Sequence, residues 1–325
     1  MKRPDPPDTG SAPPAHASPG RPRPAGPEHR AGLVSLPGGP FRMGSDHGYP
    51  EERPARTLEA PALAIDARAV TNARFADFVD ATGYRTTAER VPDRAAHPGM
   101  PDAFFQAGSS VFRPTAGPVP LDDFRRWWHF CPGASWAAPE GPGSDLAGRA
   151  EHPVVHVSLH DALAYARWAG LALPEEAEWE YAASVQRGPE GPPGGPPAPP
   201  HSPTANTWSG AFPWRHDARG AGPYTEAVGA RAPSRFGLHA MLGNVWEWTV
   251  SSFDRRAVAG RGPCCTPGAG RDARIDPAVA WTIKGGSFLC APSYCRRYRP
   301  EARSALDAGS SMSHVGFRCT AARDG

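Results

Sequence analysis

Forty-one prolines and 36 glycines are spread through this chain of 325 residues, and few stretches between them leave room for a long helix or strand. Proline fixes φ and removes a backbone donor, and glycine costs more entropy to order, so both favour turns over regular ladders. The apolar fraction, 39%, is diluted accordingly. A chain of this length is nevertheless ample for a sizeable core, in one large domain or two.

Two segments carry the breakers most densely. Residues 1–32 are rich in Pro, Gly, Ala and Arg and contain no Val, Ile or Leu. They cannot bury enough surface to offset the entropy of ordering, so they read as a disordered tail before a domain at 33–325. Residues 187–204 are a second Pro/Gly-rich stretch, which reads as a surface loop. Between these lie three helix signals. Thr71-Asn72 caps an amphipathic segment with Phe75, Phe78 and Val79 on one face and Gly83 as its stop. Ser158 and Asp161 open a helix over 159–169, closed by Gly170. A short third helix follows Pro174, where Glu175, Glu176 and Glu178 favour the positive N-terminal end. The remaining segments are short, apolar and punctuated, which predicts small strands joined by long loops in an α+β fold.

A net charge of +2 predicts no strong pull toward nucleic acid or an anionic membrane. No apolar run reaches 18 residues, and the first residues lack the apolar segment of a secretory signal. Six cysteines in this length do not make a disulfide framework, so a reducing compartment, the cytoplasm, is expected.

Two of those cysteines stand in Lys284-Gly-Gly-Ser-Phe-Leu-Cys290-Ala-Pro-Ser-Tyr-Cys295-Arg-Arg-Tyr-Arg299. Their spacing is neither that of a redox helix nor that of a zinc knuckle. A Gly-Gly pair before them suits a strand entering a tight loop. Two thiolates without a nearby histidine make a soft, low-coordinate donor set, the kind that selects Cu(I). A small-loop disulfide or a pair of buried thiols satisfies the same local sequence. His156-x-x-x-His160 lacks the glutamate of a zincin motif and reads as structural. Adjacent Cys264 and Cys265 rarely bond each other, and Cys131 reads as a buried thiol.

The segment from Gly285 to Cys319, with Arg299-Pro-Glu-Ala-Arg303-Ser and Ser310-Ser-Met-Ser-His-Val-Gly-Phe317-Arg318-Cys319, resembles the catalytic end of formylglycine-generating enzymes. Gly243-Asn-Val-Trp-Glu-Trp248, His152-Pro-Val-Val-His156, Leu173-Pro-Glu-Glu-Ala-Glu-Trp-Glu-Tyr181 and Pro37-Gly-Gly-Pro-Phe-Arg-Met43-Gly44 match other parts of that family in order. The resemblance covers about residues 33–322. It implies the irregular C-type-lectin-like sulfatase-modifying-factor fold, with little regular secondary structure. It also implies a copper-dependent oxidase that uses O2 to convert the cysteine of a Cys-x-Pro-x-Arg motif in sulfatases to Cα-formylglycine. The implied partner is an unfolded or nascent sulfatase polypeptide, and the chain is read as a monomer.

The site residues follow from the same resemblance. Cys290 and Cys295 match the Cu(I) ligands. Ser287 matches a serine near the copper whose hydroxyl orients O2 or water, unless strand backbone satisfies it. Trp246 matches an active-site wall or is plain core, and Tyr294, Tyr298 and Arg299 match the peptide groove or are structural stacking. Structural Ca2+ is implied twice. One site centres on Ala240, Gly243, Val245 and Glu247, with Ala240 replacing the usual Asn or Asp. A second, weakened site rests on Asn206 and Thr207, whose downstream aspartate partner is missing unless Asp217 substitutes. Ala291-Pro292 replaces the family's common His after the first cysteine. Ala166 and Ala183 stand where some relatives have cysteines, which leaves Cys319 without that partner. Two further readings stay open: a non-catalytic binding module of the same fold, and the same copper chemistry on a protein other than a sulfatase.

Overall fold

The computed structural model describes residues 29, 32–95, 97–185, 205–217, 224–253, 275–276 and 278–322. The expected loop at 187–204, the Cys264-Cys265 pair and residues 1–28 lie outside them. Helix α1 spans Asn72–Thr82, begun by Thr71 Oγ1 accepting the Arg74 N–H at 3.2 Å and ended by Gly83 at φ 66°. Helix α2 spans Leu159–Ala169 with a Ser158/Asp161 capping box and Gly170 at φ 66°. Helix α3 spans Glu176–Ser184, and Glu178 reaches back to accept the Glu175 N–H at 2.8 Å. All three starts satisfy N–H groups that the helix itself leaves unpaired.

Twelve short strands complete the described structure. They are β1 (Leu33–Leu36), β2 (Gly39–Met43), β3 (Arg56–Ala60), β4 (Leu63–Asp66), β5 (Gly108–Phe112), β6 (Trp128–Pro132), β7 (Leu171–Ala172), β8 (Trp246–Ser252), β9 (Ala280–Lys284), β10 (Arg303–Asp307), β11 (Val315–Gly316) and β12 (Thr320–Ala321). One four-stranded sheet runs β1-β4-β12-β7 and the other β10-β9-β8-β11, with β2-β3 and β5-β6 as separate pairs. The first sheet therefore joins the start of the domain to its end. The architecture is the α+β, loop-rich type expected.

The main core packs Phe75 and Phe78 of α1 against Tyr165 of α2, Phe317 and the tryptophans of β8. Full burial of each such aromatic stabilises by roughly 1.5–3 kcal/mol before entropy is counted. A second cluster joins α3 to β2, β3 and β4 through Trp179 and Tyr181. One expectation needs correction. His29, assigned to the disordered tail, is buried, with its ring 4.6 Å from that of Trp168 and its Nδ1 3.2 Å from the Tyr165 hydroxyl. Counting aliphatic residues alone overlooked an imidazole that packs on aromatic rings.

Candidate active site

Strand β9 ends in Lys284, whose ammonium is fully buried between Glu180 (2.7 Å) and Glu176 (3.5 Å) of α3. Arg303 of β10 takes the other Glu176 oxygen at 2.8 Å. This network fixes the point where the chain leaves the sheet. Gly285 and Gly286 then turn it in left-handed conformations, at φ 96° and 72°. A Cβ on Gly286 would sit 2.6 Å from the Arg297 carbonyl oxygen and 3.1 Å from Cys290 Sγ. The turn thus brings Ser287 and Cys290 against the far arm of their own loop. Gly286→Ala should therefore spread the thiol pair and cost at least about 1–2 kcal/mol for its left-handed backbone. Denaturant unfolding and metal titration together test this, and unchanged values in both would refute it.

Cys290 and Cys295 face each other with sulfurs 3.5 Å apart, and both are free thiols. The separation is far beyond a disulfide bond and within reach of an S–H···S hydrogen bond. That hydrogen bond sets the charge distribution. Cys290 is pushed well above the usual thiol range, first by the hydrogen bond to Cys295 and then by its own burial. Cys295 is held below that range, first by the hydrogen bond from Cys290 and further by the backbone N–H and guanidinium of Arg297, against opposition from burial. Of the pair, Cys295, the more exposed member, is therefore the more acidic thiol. Iodoacetamide should label Cys295 ahead of Cys290 and continue to do so below about pH 8.5, where an ordinary cysteine protonates. Peptide mass mapping across pH tests this; equal labelling of both would contradict it.

The loop is pinned from three sides. Asn244 O accepts the Phe288 N–H at 3.0 Å, Cys290 O accepts the Trp208 N–H at 2.9 Å, and the Cys295 N–H returns to Ala291 O at 2.9 Å. Beneath it lies an aromatic cluster of Phe112, Trp127, Trp208, Phe212 and Phe288. Tyr294 stacks on Phe212 at 4.5 Å and 6° and remains 39% exposed, so it forms the rim beside the thiols. Tyr298 and Arg299, expected at the same groove, are buried instead. The Arg299 guanidinium is bound by Glu52 at 2.5 Å, and Arg297 pairs with Glu51 and lies 4.0 Å over the Tyr49 ring. Both arginines clasp the loop from behind, because their charges find carboxylates in the segment at 49–53. Trp246 lies in the main core, and its backbone N–H reaches His314 O at 2.8 Å. Ser287 is fully buried, with its hydroxyl 3.1 Å from His314 Nδ1.

The residues matched to calcium sites form a brace under this loop. Asn206 pairs with Gly243, and its side-chain amide donates to Tyr224 O (2.9 Å) and Asn244 Oδ1 (3.1 Å). A Cβ on Gly243 would lie 2.4 Å from Asn206 O, so only glycine allows that approach. Thr207 follows, partly exposed, and Asp217 pairs with Arg215. Ala240 and Asn244 hold left-handed backbones at φ 46° and 61° and Val245 is buried. The buried Glu247 carboxylate accepts Arg318 Nε (2.6 Å), Arg318 Nη2 (2.8 Å) and Trp179 Nε1 (2.7 Å). Its charge is therefore matched within the protein. His156 Nε2 donates to Pro139 O at 2.8 Å, which fits the structural role read from its spacing. Among the described residues no group of three or more His, Cys, Asp or Glu is arranged to hold a metal.

Sequence reasoning missed Arg297, His314 and Lys284. A lysine closing the otherwise apolar run Ala280-Trp-Thr-Ile283 is a signal of buried pairing. Nothing local marks His314.

This loop-rich fold, with an unbridged thiol pair at the end of a central strand, is that of the sulfatase-modifying factors. Residues 20–323 match the family described as Sulfatase-modifying factor enzyme 1-like domain, and the chain belongs to it. It is 50% identical over 291 residues to the formylglycine-generating enzyme of Mycobacterium tuberculosis, covering 89% of this chain and 97% of that one. Identity to the formylglycine-generating enzyme of Thermomonospora curvata is 41% over 313 residues, covering 92% and 96%. Among solved structures, PvdO from Pseudomonas aeruginosa shares the fold at a TM-score of 0.56 and 21% identity, covering 89% of this chain and 93% of that one.

Proposed function

We propose that this chain converts the cysteine of a Cys-x-Pro-x-Arg motif in an unfolded or nascent sulfatase to Cα-formylglycine, using O2 and Cu(I) held by Cys290 and Cys295. The observation that carries this is the unbridged pair of sulfurs, 3.5 Å apart at the rim of the aromatic cluster. The named relatives covered over nearly their whole length support the same reading. Two sulfurs of unequal proton affinity suit a soft monovalent ion, because thiolates are soft donors and the more acidic Cys295 gives up its proton more readily than an ordinary thiol. Bound there, Cu(I) would supply one-electron chemistry toward O2 and a further coordination position for the substrate's own sulfur. The chain's residues do the rest. Cys295 is the more exposed sulfur, Tyr294 supplies an apolar wall for the approaching peptide, and the buried Ser287 points its backbone N–H at Cys290 Sγ.

The test is mass spectrometry of a Cys-x-Pro-x-Arg peptide incubated with Cu(I)-loaded protein, O2 and a thiol reductant. Appearance of the aldehyde supports the reading. Tight Cu(I) binding without conversion would move the chemistry to a non-sulfatase protein, and no Cu(I) binding would favour a non-catalytic module.

Calcium belongs to the same proposal in a weaker form. Glu247 shares its charge with Arg318, and the Asn244 carbonyl is taken by the Phe288 N–H, so few free oxygen donors are left at 240–247. With so few free charges the dissociation constant should fall at about 10⁻⁴–10⁻³ M, as in the weakest oxygen-ligand sites. Calorimetric titration that gave a submicromolar value would reject this. Free thiols at Cys131, Cys290, Cys295 and Cys319 support a reducing compartment, the cytoplasm. No helix among the described residues is long and apolar enough to cross a membrane. A monomer without nucleic-acid or membrane partners is part of the proposal.

A further inference from the structure

Among the described residues His314 is the one ionisable side chain bonded to Ser287, and the segment that carries it is held from several sides. The Ser311 carbonyl accepts from Ser109 Oγ at 2.8 Å, and the Met312 carbonyl accepts the His156 N–H at 3.0 Å. Ser313 Oγ accepts the Phe112 N–H at 3.1 Å, and the His314 carbonyl accepts the Trp246 N–H at 2.8 Å. These contacts come from β5, β8 and the turn at His156, whose own backbone is left-handed at φ 59°. A position so over-determined leaves the imidazole little freedom. Trp128 closes one side of the ring edge-on, with centroids 4.6 Å apart. Burial, followed by the nearby His156, lowers the His314 pKa to about 3, so the ring is a neutral donor–acceptor at physiological pH.

Ser287 stands at the centre of the opposing loop. Its Oγ accepts the Leu289 N–H at 3.2 Å, its own N–H points at Cys290 Sγ at 3.5 Å, and its hydroxyl meets His314 Nδ1 at 3.1 Å. With Leu289 fixing one lone pair, the imidazole decides where the hydroxyl proton lies. We propose that His314 is a positioning residue that sets the Ser287 hydroxyl toward the Cys290 side of the thiol pair, and that it acts on turnover only through Ser287. The inference rests on the oxidase reading given above. The ring's Nε2 has no protein partner among the described residues, so the neutral imidazole needs no second contact to hold this role.

The test is a double-mutant cycle on peptide conversion by the Cu(I)-loaded full chain, using Ser287→Ala, His314→Leu, His314→Asn and the Ser287→Ala/His314→Leu pair. Removing a group that places a reacting neighbour lowers kcat by up to about 10²-fold, so His314→Leu should approach that loss while KM for the peptide stays within about twofold. His314→Asn, whose amide reaches the place of Nδ1, should recover most of kcat. The double variant should be no slower than Ser287→Ala alone, because groups that act as a unit are not additive. Wild-type kcat in His314→Leu, equal losses in the Leu and Asn variants, or losses that multiply in the double variant would each overturn the role. Absence of turnover in the unsubstituted protein would overturn the oxidase reading and this role with it, whereas turnover indifferent to His314 overturns this role alone.

Discussion

Cys290→Ser and Cys295→Ser should each abolish peptide conversion and weaken Cu(I) binding by more than about 100-fold, the upper range for losing even an outer partner of a metal site. A serine hydroxyl is a hard donor and does not ionise near neutral pH, so either change leaves one soft ligand where two are needed. The two variants should still differ from one another. Cys290→Ser keeps a hydroxyl that can still donate to Cys295 and leaves Arg297 in place, so Cys295 should remain more acidic than an ordinary thiol and still be alkylated readily. Cys295→Ser leaves Cys290 buried and protonated, hence barely alkylated at all. Fold is not at stake, because the sulfurs are bonded only within their own loop: to its backbone, to each other and, for Cys295, to the Arg297 side chain. Circular dichroism should be unchanged in both, and conversion surviving in either one would sink the two-thiolate site.

Lys284→Met should destabilise the domain by about 3–5 kcal/mol, the cost of leaving a buried carboxylate without its counter-charge. Glu180 is buried at 1% exposure and, among the described residues, accepts from the lysine and the Gly44 N–H. Burial already pushes its pKa up, and Lys284 is the chief influence pulling it back. Without the lysine the carboxyl would take up a proton on folding. The penalty therefore applies above the ordinary glutamate range near pH 4.3 and fades as pH falls through it. Adding Glu180→Gln, which keeps the bond to Gly44, should recover most of the loss at neutral pH. Denaturant unfolding at two pH values measures both effects, and a pH-independent deficit, or no rescue, would refute the account.

What the sequence made legible is uneven in an instructive way. Helix starts and stops at Thr71, Gly83, Ser158 and Gly170 depend on side-chain-to-backbone bonds within four residues, and such local chemistry is written in order along the chain. The cysteine spacing was equally visible, since both sulfurs belong to one short loop. The pairing of Arg299 with Glu52 joins residues 247 apart, and no local pattern distinguishes an arginine facing a groove from one turned inward. His314 escaped for the same reason: its partner Ser287 lies on a different segment, and the two meet only because β11 pairs beside β8 and carries His314 toward the loop that follows β9. Glu247 reads from the resemblance as a calcium ligand, whereas its buried partner Arg318, 71 residues on, leaves no local sign.

The clasp of the thiol loop by Tyr49, Glu51 and Glu52 has a consequence for biosynthesis. The hydroxyl of Tyr49 receives the Arg296 N–H at 3.2 Å, and the two glutamates hold the arginines that follow. The strands framing the same loop, β9 and β10, pair with each other far along the chain from the segment at 49–53. A nascent chain therefore carries Cys290 and Cys295 for some time as two ordinary, unrelated thiols. They become a hydrogen-bonded pair of unequal acidity only when the segment at 49–53 and the loop after β9 have met. Contacts this remote in sequence form late in folding, so the unequal acidity of the two thiols is a property of the finished fold and of nothing before it.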